Sequence, residues 1–315
     1  MSDARLNGIL LLDKPSGMTS HDAVQQIRKM TRQRRVGHTG TLDPLATGLL
    51  VICIGNATKV ARFISEMDKT YQAQVCLGRS SETFDSEGVT EEQSAAEVPE
   101  FGRAELEEVL SEFTGLISQK VPAYSAVRVD GKRLYKLARG GVAVETPERE
   151  IEIKDIKLRS YDLPYLELEV TCSKGTYVRS LAHEIGSRLG CGGYLSQLRR
   201  TQVGELTLDR ALTLEQAGEH SSAGTMEKQL LSCDQVLDYA AIQIRDEFRE
   251  YVVSGREPRK EDILNVEGIF TTGDRIFLKD TKGLVLAVGT AGVSSDNIGR
   301  NAADNRLFNY IRVLN

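Results

Sequence analysis

Two rhythms of apolar residues run along this chain. Unbroken or alternating apolar runs at 8–12, 49–54, 71–77, 151–158 and 165–172 predict strands. Helical spacing appears at Ala23, Val24, Ile27 and Met30, with Ser20 as a cap. It recurs at Leu106, Val109, Leu110 and Phe113, and most strongly at Val178, Leu181, Ile185 and Leu189, where Gly190 supplies the stop. Asn56 is expected to cap a short helix carrying Val60, Ala61 and Ile64. Residues 80–102 are polar, acidic and rich in serine, and predict an exposed loop. From about residue 240 short strand-like pieces alternate with Gly268, Gly273, Gly283, Gly289 and Gly292, which predicts a small, mostly β domain over 239–315 behind a larger one over 1–238. Strands and helices mixed without regular βαβ alternation give an α+β class.

Length fits that division: 315 residues hold one large domain and one small one. No apolar stretch nears the roughly 20 residues that span a bilayer. The N-terminus lacks the charged-then-apolar layout of a secretory signal, so the cytoplasm is expected and no membrane association. Five cysteines form no Cys-x-x-Cys pair and four histidines no His-x-x-x-His, so no metal site is expected and the thiols should be reduced and buried. The net charge of −5 argues at first against a nucleic-acid partner. Its distribution changes that. Residues 1–80 carry 11 basic against 6 acidic side chains and residues 113–205 carry 15 against 11, while the insert at 81–112 carries 1 against 11. One acidic insert masks two basic blocks, which leaves room for phosphate contacts.

Reactive groups are few. The turn Gly37-His38-Thr39-Gly40-Thr41-Leu42-Asp43-Pro44-Leu45-Ala46-Thr47-Gly48 sets one carboxylate, Asp43, among turn-forming residues directly ahead of a buried-type strand. A rigid scaffold presents a reactive group in this way, although an aspartate before proline also serves as a plain turn acceptor. A phosphate-loop reading fails, because no Lys-Ser or Lys-Thr follows a glycine at the required offset. Ser20-His21-Asp22 is no hydrolase triad, since chain neighbours do not converge as triad members do.

This turn, with Asp13-Lys14-Pro15-Ser16-Gly17-Met18-Thr19-Ser20 before it, resembles the bacterial tRNA pseudouridine-55 synthase family. The likeness continues through Asp68-Lys69-Thr70-Tyr71, Leu77-Gly78, Tyr124-Ser125-Ala126, Leu134-Tyr135, Ser173-Lys174-Gly175-Thr176-Tyr177-Val178-Arg179-Ser180-Leu181-Ala182-His183 and Leu198-Arg199-Arg200-Thr201. Ordered blocks over two-thirds of the chain make a specific match. The chain departs from the family's habit at Ser81, Val121 and Arg128.

The resemblance implies the pseudouridine synthase fold, a largely antiparallel mixed central sheet with flanking helices, followed by a PUA-like RNA-binding domain. It implies isomerisation of uridine 55 in the tRNA T-loop by base flipping, with Asp43, Tyr71 and Arg179 as catalytic residues and no cofactor. Arg179 should grip Asp43, bidentately if the geometry allows, and lower its pKa. His38 would fill the gap left by the extruded base, Leu198 would wall the base pocket, and Lys14 and Tyr124 would stand near it. A basic segment within 120–150, including Lys132 and Arg133, would meet phosphates of the T-arm. A monomer without obligatory protein partner is expected. Two rivals share the fold: a non-catalytic RNA-binding or tRNA-folding protein, and a guide-RNA-dependent synthase subunit.

Overall fold

The two most apolar runs pair with each other. Gly8–Lys14 (β1) lies antiparallel to Thr47–Ile54 (β3), with Leu10 opposite Ile52, and every β3 residue after Thr47 is buried. Strands buried on both faces need apolar residues at consecutive positions, which is why these segments read as unbroken runs. This computed structural model describes residues 6–89, 97–125, 127–129, 131–140, 146–298 and 306–314. Ala126, part of the acidic insert, Gly141 and residues 142–145 of the basic segment lie outside the described residues.

The remaining strands of the central sheet are Val36–His38 (β2), Lys69–Leu77 (β4), Gly115–Lys120 (β5), Glu148–Asp162 (β8), Tyr165–Cys172 (β9), Gly193–Val203 (β10) and Leu206–Thr207 (β11). The order is β1-β3-β10-β4-β9-β8-β5, with β2 and β11 on the side. Every pairing is antiparallel except β3 with β10. That parallel contact is two residues long and sets Arg200 opposite Gly48. A short hairpin, Arg128–Val129 (β6) with Lys132–Arg133 (β7), stands apart from the sheet.

Helices Ser20–Thr31 (α1), Ala61–Ser65 (α2), Arg103–Ser111 (α3) and Val178–Arg188 (α5) cover the sheet, and Leu134–Arg139 (α4) follows the separate hairpin. Thr19, not Ser20, caps α1: its hydroxyl accepts from Asp22 N–H and the Asp22 carboxylate accepts from Thr19 N–H. Asn56 caps nothing. It lies inside a 3-10 turn, Gly55–Lys59, that precedes α2. The loop expected to be exposed from residue 80 is partly interior, with Ser81 and Asp85 buried.

Beyond residue 240, Ala241–Ile244 (β12), Ile263–Glu267 (β13), Arg275–Lys279 (β14), Val285–Ala291 (β15) and Phe308–Val313 (β16) form a second sheet in the order β13-β12-β14-β15-β16. It does not hang free. Phe277, Val288 and Leu314 pack in one core with Ile9, Leu49 and Val51, and Arg275 pairs with Glu66 at 2.8 Å. Cys53, Cys76, Cys172 and Cys191 are buried free thiols.

Candidate active site

Asp43 sits in a turn closed by a bond from Ala46 N–H to its own carbonyl, 3.1 Å. The chain around this turn is fixed on three sides. Gly17 N–H donates to Pro44 O at 2.9 Å. The Ser20 hydroxyl both donates to Leu42 O and accepts from Leu42 N–H, at 3.0 and 2.8 Å. Arg200, fully buried on β10, donates from Nη2 to Gly40 O at 3.1 Å and from Nε to Leu49 O at 2.7 Å. A buried guanidinium spent on two backbone carbonyls brackets the turn between strand ends.

Gly48 allows that bracket. Its φ is +97°, and a Cβ there would come within 2.3 Å of Arg200 O. Gly48→Ala should therefore lower unfolding free energy by about 3 kcal/mol, from backbone strain and overpacking together. A denaturant melt reads this directly; an unchanged midpoint would mean the β3–β10 contact is not a fixed part of the fold.

Facing the turn is a cleft of about 180 Å³, lined among others by Asp43, Tyr71, Tyr124, Tyr177, Arg179 and Leu198. That is small beside the roughly 300 Å³ at which ordinary ligand clefts begin, and suits a single base. Tyr71 on β4 lies directly across from Arg200 on β10, and Leu198 is two residues before Arg200 on the same strand. Burial raises the pKa of the Tyr71 hydroxyl, and the Arg200 charge acts against that rise.

Arg179, in the first turn of α5, reaches the cleft floor. Its Nε is 3.4 Å from Asp43 Oδ2, and its Nη1 is 3.6 Å from Asp85 Oδ2. Nη2 donates to Tyr124 O at 2.9 Å. The bidentate grip on Asp43 is not formed. One nitrogen faces Asp43, because the rest of the fork is shared between Asp85 and two backbone carbonyls, those of Thr83 and Tyr124.

The direction of the Asp43 pKa also departs from expectation. It is raised, chiefly by desolvation, with Asp85 adding to the rise; Arg179 and Lys14 pull it down without prevailing. Its side chain is 38% open, on the cleft that it lines.

Lys14 and His38 do not line the cleft. Lys14 is fully buried at the end of β1, where its ammonium donates to Pro15 O and Met18 O at 2.9 and 2.8 Å. Burial lowers its pKa and the Asp43 charge counteracts this, so the two groups feel each other through space. His38 ends β2, with Nδ1 accepting from Gly40 N–H at 3.4 Å and a pKa lowered by burial and then by Arg200. Lys132 and Arg133 are exposed on β7, away from the cleft lining. The helix that follows them, α4, is tied to it, since Tyr135 N–H donates to Ser125 O at 3.1 Å and Ser125 lines the cleft.

Two charged groups of this site escape a reading of the sequence. Asp85 lies in the polar insert, where nothing local separates it from ten other acids. Arg200 stands beside Arg199, and only its register on β10 shows which of the two points inward.

Known proteins resemble this chain over most of its length. Residues 28–178 match the N-terminal domain profile of the TruB family pseudouridylate synthases, and residues 179–240 match the tRNA pseudouridylate synthase B C-terminal domain. The chain is 39% identical to tRNA pseudouridine synthase B of Geobacter sulfurreducens over 314 residues, covering 98% of this chain and all of that protein. It is likewise 39% identical to the synthase of Bacillus subtilis, covering 90% and 92%. Among solved structures, a chain of a Cbf5-Nop10-Gar1 complex matches at TM-score 0.74 and 25% identity, over 98% of this chain and 85% of that one. A chain of an H/ACA RNP bound to a substrate RNA containing 2′-deoxyuridine matches at TM-score 0.74 and 23% identity, with the same coverage. The likeness shows the fold over almost the full length of the chain.

Proposed function

The chain belongs to the TruB family of pseudouridylate synthases, which isomerise uridine in tRNA, and from that premise we propose that its target is uridine 55 of the T-loop and its catalytic carboxylate Asp43. One observation carries the reading: Asp43 and Arg179 meet at 3.4 Å in a cleft the size of one base, with Tyr71 and Leu198 among its walls.

The reaction conserves every atom of the nucleoside. The N1–C1′ bond breaks and a C5–C1′ bond forms; the C5 proton leaves and N1 gains one. A uridine within a folded loop offers neither bond to a protein side chain, so the nucleotide must swing out. Tyr71 supplies a flat face for the uracil, and Leu198 supplies an apolar wall. Asp43 in its ionised form serves as nucleophile or base, and the rise in its pKa makes it the stronger in either role. Arg179 steadies that carboxylate and offers positive charge where negative charge moves. Tyr124 orients Arg179 through its carbonyl. His38, neutral and next to the Asp43 turn, suits the gap that the departing base leaves. Lys14 lends charge from beneath the turn.

Lys132 and Arg133 then contact T-arm phosphates. Lys132→Ala and Arg133→Ala should each weaken tRNA affinity and flatten its dependence on salt, by about one unit of log–log slope for each phosphate no longer neutralised, while turnover at saturating tRNA holds. Filter binding across a salt series measures this; unchanged slopes would remove the segment from the interface.

The reading is tested by incubating the purified chain alone with an unmodified tRNA transcript and mapping pseudouridine. A single product at position 55 is expected, made by a monomer without added protein or guide RNA. Product elsewhere, or only with a guide RNA, would favour the guide-dependent rival. No product with tight binding would favour the purely RNA-binding one.

A further inference from the structure

On the reading of Asp43 and Arg179 given above, we propose that His183 is a positioning residue: its ring holds Phe84 in place, and through Phe84 the loop that sets Asp85 against Arg179. Phe84 has φ +64°, the left-handed region that a bulky side chain avoids. Such a conformation persists only where its surroundings hold it. Here the hold is visible. The Phe84 ring stacks on the His183 imidazole with centroids 4.1 Å apart and planes 12° from parallel. Its backbone is bonded on both sides, from Phe84 N–H to Ser81 O at 3.1 Å and from Leu195 N–H to Phe84 O at 3.0 Å.

What this conformation places is functional. Thr83, one residue before, accepts at its carbonyl from Arg179 Nη1. Asp85, one residue after, turns a buried carboxylate to the same nitrogen, and its other oxygen accepts from Glu87 N–H at 3.1 Å. His183 follows Arg179 by one helical turn on α5, on the same face. The ring stack and the Arg179–Asp85 pair are thus two rungs between one loop and one helix. Loss of the first rung frees the loop to leave the left-handed turn, and Asp85 then leaves Arg179.

The imidazole suits this task because it is flat and uncharged. Burial lowers its pKa, and Nδ1 is buried without a hydrogen-bond partner among the described residues. A charged ring one turn from Arg179 would repel the guanidinium it helps to place.

The test is steady-state kinetics on tRNA with melting curves for four variants. His183→Ala should lower kcat about 10- to 100-fold with KM for tRNA unchanged, the scale of a misplaced catalytic group. His183→Phe, which keeps the flat face, should restore most of the turnover. Phe84→Gly accepts the backbone conformation but loses the ring, so it should match His183→Ala, and the double variant should be no worse than either. Parent-like kcat in His183→Ala, a loss confined to KM, or a folded His183→Phe as slow as the alanine variant would overturn the proposal while the active parent leaves the site assignment standing. A parent that makes no pseudouridine would overturn the site assignment and this proposal with it.

Discussion

Asp43→Asn should abolish pseudouridine formation, by about 10⁴-fold or more, and leave tRNA binding within a few-fold of the parent. The amide matches the carboxylate in shape but is neither nucleophile nor base, so the cleft should still receive the base. Single-turnover assays at saturating protein separate the two quantities. Loss of binding in step with turnover would make Asp43 an RNA contact instead. The same variant should melt at a higher temperature near neutral pH. Asp43 has a folded-state pKa above its ordinary value, so its ionisation costs stability. That cost is absent below the ordinary value of 3.8 and complete above the raised one. The gain in melting temperature should therefore shrink as pH falls toward 3.8. Active sites commonly carry such a trade of stability for function. A variant less stable than the parent at neutral pH would contradict the sign.

Arg179→Ala should lower turnover about 10²- to 10³-fold with little change in tRNA affinity, because the guanidinium faces Asp43 and Asp85 rather than the protein surface. It should also cost about 3 kcal/mol of stability, since Asp85 would be left buried and unpaired. Arg179→Lys keeps the charge but not the fork, and cannot meet two carboxylates and two carbonyls at once. It should recover part of the stability and little of the rate. Equal losses in affinity and turnover would recast Arg179 as a contact to the RNA.

Much of this architecture is legible in the sequence because its elements bury whole faces. Unbroken apolar runs mark β1 and β3, alternation marks β9, and four residues at helical spacing mark α5. The turn around Asp43 is legible for a different reason: glycine, threonine and proline have few other uses at such density. What stays hidden depends on partners far along the chain. Asp85 reads as one more solvated acid, yet its carboxylate meets a guanidinium from α5, 94 positions away by number. Arg199 and Arg200 are chemically alike, and bulges in β10 break the alternation that would tell inward from outward. Arg199 pairs with Asp13 across the strand ends, whereas Arg200 is interior. The cap of α1 turns on a finer point. Thr19 and Ser20 can both cap, and Asp22 three residues after Thr19 decides between them by closing the reciprocal bond. Ser20 is thereby released to hold Leu42, the neighbour of Asp43.

The C-terminal β unit carries a different lesson. Its sheet shares one apolar core with β1 and β3 and adds an ion pair across the junction. Those residues belong to both alternations at once, so a linear reading assigns each to its own domain and misses the shared packing. The Asp43 turn therefore sits on strands braced from behind.

A crystal structure of Asp43→Asn with a T-arm stem-loop would settle where the reacting nucleotide goes. The uracil of residue 55 should lie between Tyr71 and Leu198, its sugar facing the side chain at position 43 and Arg179 beside it. A uracil still stacked within the T-loop, or seated on the 128–139 segment with the cleft closed to it, would place the chemistry elsewhere.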